Sequence, residues 1–224
     1  MFYLKDKNLY IILDFDSTFV TVETLDLLAE ICLKRSKNEK KLVAEIAKIT
    51  NAGMAGSLPF SKSLEKRLDL FQPTVRDLKE VIKKLQTKVS KSIERNKDFF
   101  LANSNRIYII SGGFEEFIYP VVKNYGIRKT NIIANKFLHK NGEIAGYDKT
   151  KQTAKDNGKA NAACSLNLSG KIFVIGDGMT DFEIVNSNQA EFIAFTENVT
   201  RENVIALAKI VAKDFEEVIK YLEK

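Results

Sequence analysis

Asp14 and Asp16 close an apolar run, Ile11-Ile12-Leu13, and the hydroxyl residues Ser17 and Thr18 follow at once. Carboxylates so spaced can supply a nucleophile and an acid–base group. In open α/β sheets, ligand sites lie just beyond the carboxyl ends of the strands. A D-x-D pair alone is common in turns, but three further signals accompany it. A second apolar run, Ile107-Tyr108-Ile109-Ile110, ends in Ser111-Gly112-Gly113, a hydroxyl and a glycine turn ahead of a predicted helix. Such a turn can cradle a phosphate on backbone N–H groups. A third run, Ile172-Phe173-Val174-Ile175, ends in Gly176-Asp177-Gly178-Met179-Thr180-Asp181. Lys159 follows Gly158 at a predicted helix start, with Lys155 a second lysine nearby. The ordered set is much more specific than any member of it.

Other routes to the same chemistry lack their residues. The one histidine, His139, sits in the predicted hairpin Lys136–Gly142, as a surface residue, so a serine triad or multi-histidine zinc site has little to use. Neither Cys32 nor Cys164 has an arginine six residues on, where Asn38 and Gly170 stand. Gly158-Lys159-Ala160 and Gly170-Lys171-Ile172 lack the upstream glycine and following Ser/Thr of a nucleotide P-loop. Phosphate chemistry on this chain falls to aspartate and a metal.

The elements that must position these residues alternate strand and helix. Strands are predicted near 9–14, 106–111, 171–175 and 190–195, with a shorter one near 209–212. Helices are predicted near 114–124, 159–167, 180–187, 201–208 and 214–223. Continuous apolar strands between helices argue for a doubly wound parallel α/β sheet covered on both faces. Residues 132–148, with Asn141-Gly142 between short apolar runs, predict an antiparallel excursion at the sheet edge. Residues 21–104 read as all helical, with apolar spacing over 22–33, 40–50 and 60–71, too long a stretch for a simple crossover.

The four motifs resemble those of the haloacid dehalogenase-like superfamily of aspartate-nucleophile phosphatases, and within it the phosphoserine phosphatases. The resemblance takes in Glu23, the stretch Met54-Ala55-Gly56-Ser57-Leu58-Pro59-Phe60, Ser63 to Arg67, Ile133 to Phe137 and Asn141 to Asp148. It implies a Rossmann-like catalytic core of residues 1–19 and 77–224, with a small inserted helical cap over 20–76. It implies Asp14 as nucleophile, Asp16 as general acid and then base, and Lys159 as the charge on the transferring phosphoryl group. It also implies Mg²⁺ held by the Asp14 carboxylate, the Asp16 carbonyl and Asp177, with Asp181 steadying them. Substrate contacts fall to Ser111, Gly112, Gly113 and Thr180 for the phosphate end, and to Glu23, Arg67, Met54 and Phe60 in the cap. On sequence alone, Arg67 in Lys66-Arg67-Leu68-Asp69 reads as a surface arginine and Glu23 as a helix N-terminal charge. Two departures stand out: Phe19 occupies a place where a smaller aliphatic is usual, and Lys91-Ser92-Ile93-Glu94 lacks the usual Pro-Gly.

The implied reaction is hydrolysis of O-phosphoserine to serine and phosphate through an aspartyl-phosphate, a step of serine biosynthesis. Alternatives are another small phosphomonoester, phosphoryl transfer to an alcohol, or a non-catalytic phospho-acceptor domain. Composition is ordinary for a soluble globular protein: 224 residues, 45% hydrophobic and 29% charged, enough for one α/β domain with an insertion or for two small domains. The formal charge of +6 is spread over Lys34–Lys41 and Lys83–Lys97 among acids and amides, the pattern of a solvated helix face and not of a nucleic-acid stripe. No eighteen-residue apolar stretch predicts a membrane span. The charged start, Met1 to Lys7, does not read as a secretory signal. Two cysteines, placed by their apolar helical contexts in the core, suit a reducing cytoplasm. A monomer or homodimer that binds a small phosphate ester is expected.

Overall fold

The computed structural model describes residues 3–34 and 36–223, and the side chains among them apart from those of 186–188. Its main sheet is built from β1 (Leu9–Leu13), β2 (Ile107–Phe114), β3 (Ile132–Asn135), β6 (Lys171–Gly176), β7 (Glu191–Phe195) and β8 (Ile210–Ala212). Their order is β3-β2-β1-β6-β7-β8, and every pairing is parallel. β4 (Phe137–Lys140) and β5 (Glu143–Tyr147) form a separate antiparallel hairpin turning at Asn141-Gly142, both at positive φ. With the hairpin set aside, this is the doubly wound order. The chain leaves β1 toward β2 on one side and returns through β6 on the other, a topological switch point where such sheets bind ligands.

Apolar runs read as strands because parallel strands are covered on both faces. Ile11, Ile12, Leu13, Ile109, Ile110, Val174 and Ile175 are all essentially inaccessible. Residues 132–135 differ from expectation. They form a sixth parallel strand on β2, and only 137–147 turn antiparallel. The strand is too short and too close to the hairpin for periodicity to separate the two.

The connection from β1 to β2 carries α1 (Thr24–Leu33), α2 (Glu39–Met54), α3 (Phe60–Leu68), α4 (Val75–Leu85), α5 (Lys91–Arg95) and α6 (Lys97–Asn103). α1 packs on α2 and on α4, α2 packs on α3, and α4 reaches α7 (Glu115–Val122) on the sheet. α8 (Gly158–Ser165), α9 (Met179–Asn188), α10 (Glu202–Ile205) and α11 (Phe215–Leu222) complete the chain. Neither cysteine is a core residue. Cys164 is exposed near the end of α8, and Cys32 is half-buried, its thiol pushed up to about 12 by burial and by Asp77. His139 is exposed on the hairpin, as expected. No helix among the described residues is long and apolar enough to cross a membrane.

Phe19, one of the two departures from the resemblance, is accommodated in an aromatic cluster. Its ring stacks on Phe15 at 5.9 Å and meets Phe100 and Tyr125 edge-on at 5.6 and 5.0 Å. This cluster lies behind the loop that follows β1, so the loop rests on packed aromatic surface. Phe19→Ala should therefore cost about 3–5 kcal/mol of stability by equilibrium urea unfolding. A loss below about 1 kcal/mol would mean that the cavity collapses and the cluster is not a tight support.

Candidate active site

Three strand ends converge at the switch point. β1 delivers Asp14, whose N–H extends the ladder to Ile175 at 3.0 Å. β6 delivers Asp177, and α9 follows with Asp181 in its first turn, where its carboxylate caps the Gly178 amide at 3.1 Å. Gly158 opens α8 so that Lys159 enters the same space, because a Cβ at Gly158 would run into the Gln152 carbonyl. The Lys159 ammonium lies 2.8 Å from Asp14 Oδ1 and 2.8 Å from Asp181 Oδ1, and all three side chains are at most 5% exposed. Lys155 has no part in this cluster among the described contacts.

One oxygen from each of Asp14, Asp177 and Asp181 lies within 4.8 Å of the other two, which makes these residues a possible metal site. Its charge balance says what it lacks. Asp14, Asp16, Glu23, Asp26, Asp177 and Asp181 are opposed only by Lys159, Arg67 and Arg201 among the neighbouring described cations. Burial holds the Asp14 carboxyl well above the usual carboxylate range, and Asp181 adds to it. Burial and Glu23 lift Asp177 to about 7. Lys159 is held charged well above its ordinary value, because Asp14 and Asp181 outweigh the penalty of burial. An oxygen-rich pocket short of positive charge fits a hard divalent cation.

Asp16 lines the same pocket as Asp14 and Lys159. Burial raises its carboxyl to about 6, partly countered by Thr24, whose backbone amide donates to Oδ1 at 2.8 Å. Next to it, Ser17 adopts the left-handed backbone, φ 53° and ψ 1°. For a serine that conformation costs on the order of 1–3 kcal/mol, and it persists only where the surroundings enforce it. Ser17 donates through its hydroxyl to Glu23 Oε1 at 2.8 Å. Glu23 is half-buried, and desolvation raises it to about 7 with Asp16 adding to the shift.

A pocket joins these groups. It is lined by Asp14, Asp16, Glu23, Leu25, Met54, Phe60, Arg67, Ser111, Gly112, Gly113 and Lys159, so nearly all the residues singled out by sequence meet in it. The β2–β3 register breaks between Ile110 and Phe114, which lifts Ser111 to Gly113 out of the ladder. The Gly113 amide donates to Ser111 Oγ at 2.9 Å. Both glycines are required by close approach: a Cβ at Gly112 would run into the Phe60 ring, and one at Gly113 would come within 2.9 Å of Asp16 Oδ2. Arg67 is only 4% exposed. Nε donates to the Ser63 carbonyl at 3.3 Å and one terminal nitrogen donates to Thr50 Oγ1 at 3.1 Å. Thr180 does not line this pocket. It faces an adjoining one with Phe60 and Lys159, and its buried hydroxyl has no partner. Larger hollows on α1, α2 and α4 are lined by scattered surface charges, without such a convergence.

Arg201 escaped the sequence reading. It precedes α10, and its Nε donates to Asp177 Oδ2 at 2.9 Å while a terminal nitrogen lies 3.6 Å from Glu23 Oε1. The available signal was its position on the loop after β7, at the same sheet edge. Asn198 on that loop was missed as well.

The model of haloacid dehalogenase-like hydrolases matches residues 11–185. The chain is 34% identical to the phosphoserine phosphatase of Drosophila melanogaster over 92% of its own length and 75% of the relative's. A crystal structure of a phosphoserine phosphohydrolase-like protein from Francisella tularensis is 33% identical and superposes with a TM-score of 0.84, covering 95% of this chain and 98% of that one. A structure of a phospho-aspartyl intermediate analogue of phosphoserine phosphatase is 25% identical with a TM-score of 0.74, covering 97% and 99%. The chain belongs to the haloacid dehalogenase-like hydrolases, as a phosphoric monoester hydrolase of their phosphoserine phosphatase branch.

Proposed function

We propose that this protein hydrolyses O-phosphoserine to serine and inorganic phosphate, with residues 20–76 acting as a cap that recognises the amino-acid end. The observation that carries this reading is the one pocket lined by Asp14, Asp16 and Lys159 together with Glu23 and Arg67. The substrate has a phosphate, an ammonium and a carboxylate, and the pocket has a complement for each. The Arg67 guanidinium is a planar donor fork suited to a carboxylate. Glu23 offers negative charge to the ammonium, and Met54 and Phe60 wall the chain between.

In the first step an oxygen of Asp14 attacks phosphorus, the bond from phosphorus to the serine oxygen breaks, and protonated Asp16 gives its proton to the departing alkoxide. An aspartyl-phosphate on Asp14 results. In the second, water attacks phosphorus and loses a proton to Asp16, the bond to Asp14 breaks, and phosphate leaves. The lift of Asp16 toward neutrality suits a group that must both give and take a proton. Ser111, the Gly112 and Gly113 amides and Lys159 hold the phosphoryl oxygens, and Thr180 offers its free hydroxyl beside them. Asp14, Asp177 and the Asp16 carbonyl would hold Mg²⁺, with Asp181 orienting both Lys159 and the ligands. Bound there, Mg²⁺ supplies charge neutralisation for the phosphoryl group.

Asp14→Asn should abolish turnover and phosphate incorporation into the protein while leaving the protein folded by circular dichroism. Near-normal phosphate release would end the nucleophile assignment. Chelator treatment should remove activity, and Mg²⁺ titrated into the stripped protein should raise its melting temperature in a saturable way. Full activity after metal removal, with no thermal response, would refute the metal site. The specificity claim rests on Arg67. Arg67→Ala should lower kcat/KM for phosphoserine by roughly 30- to several-thousand-fold, the equivalent of about 2–5 kcal/mol for truncating a buried charged contact. Arg67→Lys should also be impaired, and p-nitrophenyl phosphate, which has no carboxylate, should change far less. Equal losses on both substrates would assign Arg67 a structural role in place of recognition.

A further inference from the structure

The loop from Thr196 to Arg201 ties together three parts of the site that are far apart in sequence. Glu197 accepts from the Ser92 amide at 3.0 Å and also from the Ser92 hydroxyl, and the Phe215 amide donates to that same hydroxyl at 2.9 Å. Arg201 reaches Asp177. Between them, Asn198 points its amide at the loop that carries Asp16. Nδ2 lies 3.0 Å from the Ser17 carbonyl and 2.7 Å from Ser90 Oγ, with the Thr18 carbonyl further off at 3.4 Å. Ser90 Oγ in turn donates to the Thr18 carbonyl at 2.6 Å, and Thr18 Oγ1 donates to Asp177 Oδ1 at 3.1 Å.

These bonds bear on the left-handed Ser17. Its side chain is spent on Glu23 and its amide donates to the Val22 carbonyl at 3.2 Å. Its carbonyl accepts from the Asn198 amide, which comes from a segment remote in sequence. The two hydrogens of one carboxamide therefore fix the Ser17 peptide directly and the Thr18 peptide through Ser90. Asp16 is the residue before this turn, and the Thr24 amide donates to its side chain. Ser92, in the segment that lacks the usual Pro-Gly, is the partner that anchors the Asn198 loop through Glu197.

We propose that Asn198 is a positioning residue for proton delivery: with Ser90 as relay, it holds the Ser17 turn so that Asp16 faces the leaving oxygen. The inference rests on the assignment of Asp16 as general acid. Loss of the clamp lets the turn relax toward ordinary backbone, and Asp16 swings with it. Asp14, hydrogen-bonded into the β1–β6 ladder, stays in place. The consequence is selective. Proton delivery matters most for a poor leaving group and least for one that departs unprotonated.

The test is a series of aryl phosphates of graded phenol acidity, together with phenethyl phosphate, assayed on the full-length protein with Mg²⁺. Asn198→Asp keeps the volume and removes the donor, Asn198→Ala removes the group, and Ser90→Ala breaks only the relay. Supporting interactions of this kind are worth about 10- to 100-fold in activity. Asn198→Asp and Asn198→Ala should show that loss on the alkyl ester and under about 3-fold on p-nitrophenyl phosphate, with a steeper dependence on leaving-group acidity. Ser90→Ala should steepen it less, and Ser90→Thr should restore the parent slope. A loss uniform across the series, or no loss, would overturn the proposal. Should one Asn198 variant fail to fold by its melting curve, the other variant and the Ser90 pair carry the same reading. Asp16→Asn serves as control. If it leaves the slope unchanged, the acid assignment fails; if it steepens the slope while the Asn198 and Ser90 variants do not, the inference alone fails.

Discussion

Lys159 carries a positive charge where solvent hardly reaches, and Asp14 and Asp181, each 2.8 Å away, are what make that tolerable. A buried ion set of this kind is seldom a source of stability, because desolvation offsets most of the attraction, and removing one partner leaves an uncompensated charge. Much of the fold can be understood as the means of holding it. Asp14 comes from the end of β1, Asp181 from the first turn after β6, and Lys159 from the start of α8. Parallel β1–β6 pairing in register from Leu9–Lys171 to Leu13–Ile175 brings the first two side by side. The sheet must have its switch point here, since only there do neighbouring strands send their chains to opposite faces and leave a crevice.

The same cluster is overcharged in the other sense. Three cations do not balance the carboxylates around them; burial raises Asp14, Asp16, Glu23 and Asp177, and neighbouring acids add to the shift at Asp14, Glu23 and Asp177. In the proposed reaction a divalent cation would offset these closely spaced acids beneath the helical insertion. Phe60 pressed on Gly112 and Arg67 turned inward place the helical insertion directly over the strand ends. Small hydrophobic contact thus excludes water at the place where electrostatics need it gone.

What could be read from sequence divides along a physical line. The strand ends were legible because parallel strands are apolar without interruption, so the first polar residues after Leu13, Ile110 and Ile175 mark the catalytic edge. Asp14, Asp16, Ser111, Asp177 and Asp181 follow from that alone as residents of one edge. Arg67 was not legible by pattern. Lys66-Arg67-Leu68-Asp69 looks solvated, and only the neighbours supplied by α1 and α2 bury it; the family resemblance, and not the spacing, pointed inward. β3 was misread because four residues carry too little periodicity to oppose the adjacent hairpin. The half-buried Cys32 and exposed Cys164 show the limit of reading burial from composition when a short helix of small residues has no strong apolar stripe.

Arg201 and Asn198 were missed for a different reason. Their partners lie 24 residues away at Asp177 and 181 residues away at Ser17, and no local pattern encodes such contacts. Both sit on the loop after β7, the next strand out from β6, so topology places that loop beside the strand ends whatever its sequence. A doubly wound sheet thereby gains a second rank of residues around its switch point: those on flanking loops that touch the carbonyls and carboxylates of the first rank. In this chain that rank bears the strain of Ser17. A left-handed serine next to the proposed acid stays put because three separate segments, at Glu23, at Ser90 and at Asn198, hold it there.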